Sequence, residues 1–420
     1  MEALKNSRWT VLIIAALFFH YEFFQINMFN VLEPKLIREF STTATALSWL
    51  SATYFYGTIL LLFPAGLILD RVSTRKLIIF AMTMTIIGTW CFSQASSLVM
   101  AAAGRFAVGL CAGPFALISV IKLATRWFST KELSMATGTA VAIGMLGGIL
   151  AQAPFLLLVE KLGWRDALHI NVIVGLVILI LIVALVKDGP KEQPGKLNTS
   201  SWKYSTHGFF EGASIVIANC HNWKIGLFAC LTNLPIFILG SLFASLYLGQ
   251  AHGLSSLEGS YAATMIFVGM LIGSPIFGWI SAKCERRREP MMFGAILALL
   301  ASLIVMFTSP SYQVMLWLFF FLGLGSSSHT LAYASVAESN SAKLTGAAEG
   351  LAATLIMAGG AVFQPLCGWL LDLAWDGQTI QGVPLYSDMS FYLSIGIIPV
   401  TLLMGIILVF FSKESYLKAH

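Results

Sequence analysis

Charge is what this sequence has least of. Asp, Glu, Lys and Arg make up 11% of its 420 residues, against roughly 25% in soluble domains, which need them to solvate their surface. That scarcity excludes a water-soluble enzyme, and no nucleic-acid partner is expected. The six cysteines (Cys91, Cys111, Cys220, Cys230, Cys284, Cys367) show no metal-ligand spacing. They read as buried small hydrophobes, with neither disulfide framework nor metal expected. No phosphate-binding glycine loop with its lysine and no catalytic triad occur, so no cofactor is expected. An integral-membrane enzyme would need ionisable pairs near one interface, and the embedded charges are too few.

Apolar residues are what the chain has in abundance: 57% of the total, with mean hydropathy +0.82. About 20 apolar residues cross a bilayer as a helix. Spans are expected at 9–32, 46–69, 77–95, 98–123, 133–158 and 167–187, then at 223–250, 258–281, 291–309, 312–336, 346–372 and 388–412. The first run is too long for a signal peptide, contains Glu22 and lacks a small-residue cleavage site, so it reads as a retained span. The long polar stretch 188–222 reads as a linker between an N-terminal half, 1–187, and a C-terminal half, 223–420. Phe209 to Cys220 within it has the pattern of a helix on the membrane surface. Lys and Arg number 20 on the side of the termini and four on the other, with Arg105 left inside the membrane. That bias predicts cytoplasmic N- and C-termini. The expected location is the plasma (inner) membrane, with a vesicle or lysosome-like membrane as the alternative.

One offset of 212 residues relates the halves. Gly57, Gly66, Gly113, Gly147, Gly148 and Gln152 map onto Gly269, Gly278, Gly325, Gly359, Gly360 and Gln364, and Arg71, Arg75 and Lys76 map onto Lys283, Arg287 and Arg288. Such a repeat predicts an all-α membrane protein of twelve transmembrane helices in two six-helix repeats, with the solute site between the repeats near the midplane.

The stretch Gly66-Leu67-Ile68-Leu69-Asp70-Arg71-Val72-Ser73-Thr74-Arg75-Lys76 resembles the major facilitator superfamily signature G-x-L-x-D-[RK]-x-G-[RK]-[RK]. It departs from it at Ser73 and Thr74. The resemblance implies a gating motif formed by Gly66, Asp70, Arg71, Arg75 and Lys76. The second copy has Ala282 where the acid belongs, which confines the expected latch to the first half. Arg105 to Gly113 is similar to the superfamily's R-x-x-x-G-x-x-x-G stretch. Gly147-Gly148-x3-Gln152 and Gly359-Gly360-x3-Gln364 look like the organic-solute symporter branches. Phe19 to Phe24 weakly resembles the branch of lysosomal dipeptide carriers.

Glu22 in the first span and Arg105 in the fourth are the charges deep in apolar runs. A charge at the bilayer centre costs about 2.5–3.5 kcal/mol on insertion scales, so each needs a partner or a cavity. Helix rise puts them about 15 Å and about 10 Å from the same membrane face, a match that predicts contact. Gln25 shares the face of Glu22. Tyr54, Gln152, Asn233, His329, Tyr333 and Gln364 complete a polar set on the spans expected to line the cavity. Each is open to a second reading as an interhelical hydrogen-bonding group. The reading is a secondary transporter, functional as a monomer, that moves a small polar organic solute (amino acid, short peptide or organic anion) by alternating access with protons as candidate partner. The alternatives are a transporter-like receptor or assembly partner without flux, and a drug or metabolite efflux carrier.

Overall fold

The computed structural model describes residues 7–189, 206–341, 344–380 and 382–416, leaving aside the side chains of residues 63, 66, 67, 70, 71, 130, 131, 134 and 206–211. Its helices are α1 (Arg8–Asn27), α2 (Phe29–Phe40), α3 (Ala44–Arg71), α4 (Thr74–Ser93), α5 (Leu98–Trp127), α6 (Thr130–Leu150), α7 (Ala153–Leu162) and α8 (Trp164–Leu185). There follow α9 (Thr206–Ala218), α10 (Cys220–His252), α11 (Ser256–Cys284), α12 (Arg288–Phe307), α13 (Tyr312–Glu338), α14 (Thr345–Leu373) and α15 (Asp388–Phe410). Strands β1 (Thr379–Ile380) and β2 (Val383–Pro384) pair between the last two helices. Among the described residues, eleven helices are long and apolar enough to cross a membrane, twelve when α6 and α7, bent by 40°, count as one span.

Glycine sets the packing within each half. A Cβ on Gly109 of α5 would lie 1.9 Å from the Tyr54 carbonyl oxygen of α3, and one on Gly323 of α13 would lie 1.9 Å from that of Ile266 on α11. Only a missing side chain lets these helix backbones approach so closely. Tyr54 and Ile266 are themselves 212 residues apart, so the repeat expected from sequence recurs as a repeated contact. The phenylalanines of α1 and α2 pack inward: Phe24 on Phe155, Phe29 on Phe92 and Phe23 on Phe267.

Several spans are interrupted, and three of the interruptions bear on the site. The first breaks at Met28, between α1 and α2. The fifth breaks at Ala151 and Gln152, just before Pro154, whose ring has no N–H to continue the ladder. The seventh, α10, relaxes after Pro235 into a π-helical segment, Ile236–Phe243. Such segments free backbone carbonyls and recur at functional sites.

Candidate functional site

The break in the first span leaves carbonyls at the end of α1 without helical partners. Two side chains take them. Arg105 Nη1 donates to the Gln25 carbonyl at 2.7 Å, and Gln152 Nε2 donates to that of Asn27 at 2.9 Å. Arg105 is held there by aromatic faces, its guanidinium carbon 4.4 Å from the centre of the Phe29 ring and 5.2 Å from that of Tyr54. Its Nε and Nη2 have no partner. The Tyr54 hydroxyl donates to Glu22 Oε1.

Glu22 and Arg105 therefore converge without forming the direct contact their depths suggested. Tyr54 stands between them, because the α1 break and the Phe29 face draw the guanidinium one turn further along. Gln25 Nε2 donates to Asn171 Oδ1 at 2.6 Å, leaving its Oε1 unpartnered. The cluster lies within the N-terminal half, among α1, α3, α5 and α8. Arg105 is 1% exposed and Glu22 5%.

The repeat-related glutamines do different work. Gln152 Nε2 also donates to the Gly240 carbonyl at 3.0 Å, and its Oε1 accepts from Asn30 Nδ2 at 2.8 Å. Gln364 Nε2 donates to the Phe237 carbonyl at 2.8 Å. Both donate to carbonyls of the π-helical segment. As solute ligands they are largely occupied, although Gln364 Oε1 is unpartnered. Asn233 is buried on α10 just before that segment. His329 Nδ1 is 2.8 Å from the Ser326 carbonyl of its own helix, and Tyr333 follows one turn later, half-buried. Among the described residues, no hydrogen bond or ion pair links these three to the Glu22 cluster.

The halves join at one end of the bundle. Ser241 Oγ donates to Asn27 Oδ1 at 2.6 Å, and the Ser245 N–H to Asn30 Oδ1 at 2.8 Å. The Tyr386 hydroxyl donates to Asp372 Oδ1 at 2.6 Å and accepts from the Ala44 N–H, while Asp372 Oδ2 takes the Thr45 N–H at 2.8 Å. Sequence reasoning singled out none of these residues. Asn27 and Asn30, three apart on the first span, were the available signal.

In the gating motif, the side chains of Gly66, Asp70 and Arg71 lie outside the described ones. Arg75 Nη2 donates to the Val183 carbonyl at 2.6 Å, and the Lys76 N–H to Ser73 Oγ at 3.2 Å. Asp188 accepts from the Arg75 N–H at 2.9 Å and from the Ser73 hydroxyl, capping α4 from beyond the end of α8. Expectation confined a latch to the first half, yet the second half carries its own acidic clamp. Arg287, the repeat mate of Arg75, donates through Nη2 to Glu338 at 2.6 Å, and its N–H donates to Glu414 at 2.9 Å. The missing acid at Ala282 is offset by carboxylates from the ends of α13 and of the chain. Burial works against the Glu414 charge, but N–H donors from Arg287, Tyr416, Arg288 and Ser415 outweigh it and hold its carboxyl below the usual range.

Two repeated helical bundles, joined at broken helices with buried charge inside one of them, define a polytopic membrane carrier. The Major Facilitator Superfamily family model matches residues 13–225 and 225–419, and the chain belongs to that superfamily. The structure is similar to that of a bacterial homologue of the human lysosomal transporter Spinster. The TM-score is 0.75 at 15% identity, covering 96% of this chain and 95% of that one. Among curated proteins, the chain is 27% identical to the drug efflux pump JefA of Mycobacterium tuberculosis over 176 residues, which make up 42% of this chain and 35% of JefA, about a third of that protein's length. It is 24% identical to the choline/ethanolamine transporter flvcr2a of Danio rerio over 323 residues, 73% of this chain and 67% of that one.

Proposed function

We propose that this carrier moves a small polar organic solute by alternating access, holding it at the Glu22–Tyr54–Arg105 cluster. The observation that carries the reading is Arg105: a buried guanidinium with two nitrogens, Nε and Nη2, lacking a hydrogen-bond partner among the described residues, beside a carboxylate to which it is not ion-paired. A buried charge left so is costly unless a ligand completes it. Arg105 suits a solute carboxylate gripped at two points, and Glu22 suits an amine, so an amino acid or short peptide fits both. Protonation of Glu22 would couple a proton gradient to that binding, since two ligands that favour one another's binding do so reciprocally. The charge bias puts the end carrying both termini in the cytoplasm, with residues 188–222 as the linker between halves.

Among the described residues Glu22 has no cationic partner, and one relative is named for choline and ethanolamine and another for drug efflux. These favour, as second reading, an amine-bearing solute held by Glu22 alone.

Uptake by purified protein in liposomes separates the readings. The panel is labelled amino acids, dipeptides, organic acids, choline and ethanolamine, with and without a pH gradient. The first reading expects saturable amino-acid or peptide uptake, reduced about tenfold or more by Arg105→Lys, which keeps charge but loses the planar fork. Choline uptake indifferent to Arg105→Lys but lost in Glu22→Gln selects the second. No saturable uptake of any panel member contradicts both.

A further inference from the structure

The joined end of the bundle holds a carboxylate that the transport site does not use. Glu33 of α2 is 0% exposed, and neither of its oxygens has a hydrogen-bond donor. It follows Asn27 and Asn30 by six and three residues, so the three share one face of the first span. Each asparagine on that face bonds across to α10, Asn27 to Ser241 and Asn30 to the Ser245 N–H. Glu33 is the next rung of that ladder and the one left unsatisfied.

The groups around it explain why. Tyr386, near enough to sense its charge, has its hydroxyl committed to Asp372 and the Ala44 N–H. From α10, Tyr247 gives its hydroxyl to the Val305 carbonyl, and His252 stacks edge-on against Tyr247 with neither ring nitrogen bonded. At the start of α3 the Ala44 and Thr45 N–H groups are committed to Tyr386 and Asp372, and β2, which packs on α2, offers Val383 and Pro384. On α7, Glu160 and Lys161 are exposed. On its own helix, Arg38 and Glu39 are exposed and Glu39 pairs with Arg165, while Lys35 is half-buried. None of these ion-pairs with Glu33. An ionised carboxylate in such a place costs far more than a neutral one.

We propose that Glu33 is a proton-binding site of the joined end, loaded while the halves are shut there and emptied when they part. Shutting that end removes water from the acid and requires a proton; parting the halves hydrates it and lets the proton leave. The proton binds a carboxylate oxygen and returns to water on the face that has opened, so charge and atoms balance without a co-reactant. By linkage, the ratio of shut to parted molecules falls as pH rises, by up to about tenfold per pH unit, above the value at which the hydrated acid titrates. This inference rests on the alternating-access reading, but not on Glu22 or Arg105 as the solute site.

The test uses full-length protein in lipid nanodiscs without solute, spin-labelled at Thr42→Cys and Gln378→Cys on either side of the joined end, with distances measured from pH 5 to pH 9. In wild-type background the long-distance population should grow with pH, and Glu22→Gln should leave that response intact. Glu33→Gln, which imitates the protonated acid, should keep the short distance throughout, while Glu33→Asp should retain a pH response. A wild-type distance independent of pH, or a Glu33→Gln response matching wild type, overturns the proposal. Should Glu33→Gln fail to fold, infrared difference spectra of wild type and Glu33→Asp decide. A protonated-carboxyl band in the shut state that shifts in Glu33→Asp supports the site; its absence overturns it. Loss of the Glu33 response with liposome uptake preserved refutes this inference alone, whereas absent uptake with the response preserved refutes the transport reading alone.

Discussion

The two ends of the bundle treat the same helices differently. Near one end α6 and α11 touch so closely that a Cβ on Gly148 would lie 2.8 Å from the Phe267 ring. Ten or eleven residues along, about 15 Å at the helical rise, a Cβ on Gly138 or Gly278 would meet nothing within 4 Å. The pair α3 and α14 repeats the pattern. Gly368 lies against Ser48 and Gly360 against Phe55, while Gly350 and Gly346 face open space. The joined end adds hydrogen bonds from Asn27, Asn30, Gln152, Ser241, Thr45, Asp372 and Tyr386. The opposite end carries the clamps of Asp188 and Glu414, each of which works within its own half. Among the described residues, bonds between halves gather at one end and bonds within halves at the other, as the proposed rocking of two bodies would require.

The largest effect should come from locking the joined end. Asn27→Cys with Ser241→Cys replaces a 2.6 Å hydrogen bond by a disulfide; oxidised protein should lose liposome uptake entirely and recover it on reduction. The same alanine substitution should have opposite signs at the two ends. Gly147→Ala drives a Cβ to within 2.1 Å of the His20 carbonyl oxygen and should destabilise by about 1–3 kcal/mol. Gly138→Ala has room and should stabilise by up to about 1 kcal/mol through helix propensity. Thermal unfolding in detergent reads both.

The glutamines sharpen the contrast further. Gln152→Leu strands the Asn27 and Gly240 carbonyls and the Asn30 amide, at about 1–3 kcal/mol for each buried orphan. Gln364→Leu strands the Phe237 carbonyl alone, so its unfolding temperature should fall by less. The smallest effect belongs to the clamp. A carboxyl held below its usual range stabilises the fold above that range, and the contribution is lost as pH falls through it. Glu414→Gln should therefore cost less than about 1 kcal/mol at neutral pH and flatten the acid limb of the stability profile.

Much of this architecture was legible in the sequence. Scarce charge and long apolar runs gave the spans, and the 212-residue offset exposed the repeat, because both are consequences of composition and periodicity. Glu22 and Arg105 stood out because ionisable groups are costly in apolar runs. Tyr54 was among the polar candidates, but its place between them was not legible, since the α1 break that draws Arg105 away depends on the tertiary partners Gln152 and Phe29. The π-helical segment left no signal beyond Pro235, and its partners come from α1, the break between α6 and α7, and α14. Asp188 and Glu414 were hidden by separation along the chain from the N–H groups they cap. Glu33 escaped notice because it falls one residue beyond the first expected span, 9–32, whereas the first span's second helix runs on to Phe40.

The central claim is that the joined end and the open end are alternatives of one motion. Spin-label distances on the full-length protein in liposomes test it directly, between Thr42 and Gln378 in one sample and between Gly138 and Gly278 in another, across a common series of pH values. Opposite movement is expected: every condition that lengthens the first distance shortens the second. Distances that lengthen together, or a second pair already as close as the first, would contradict it.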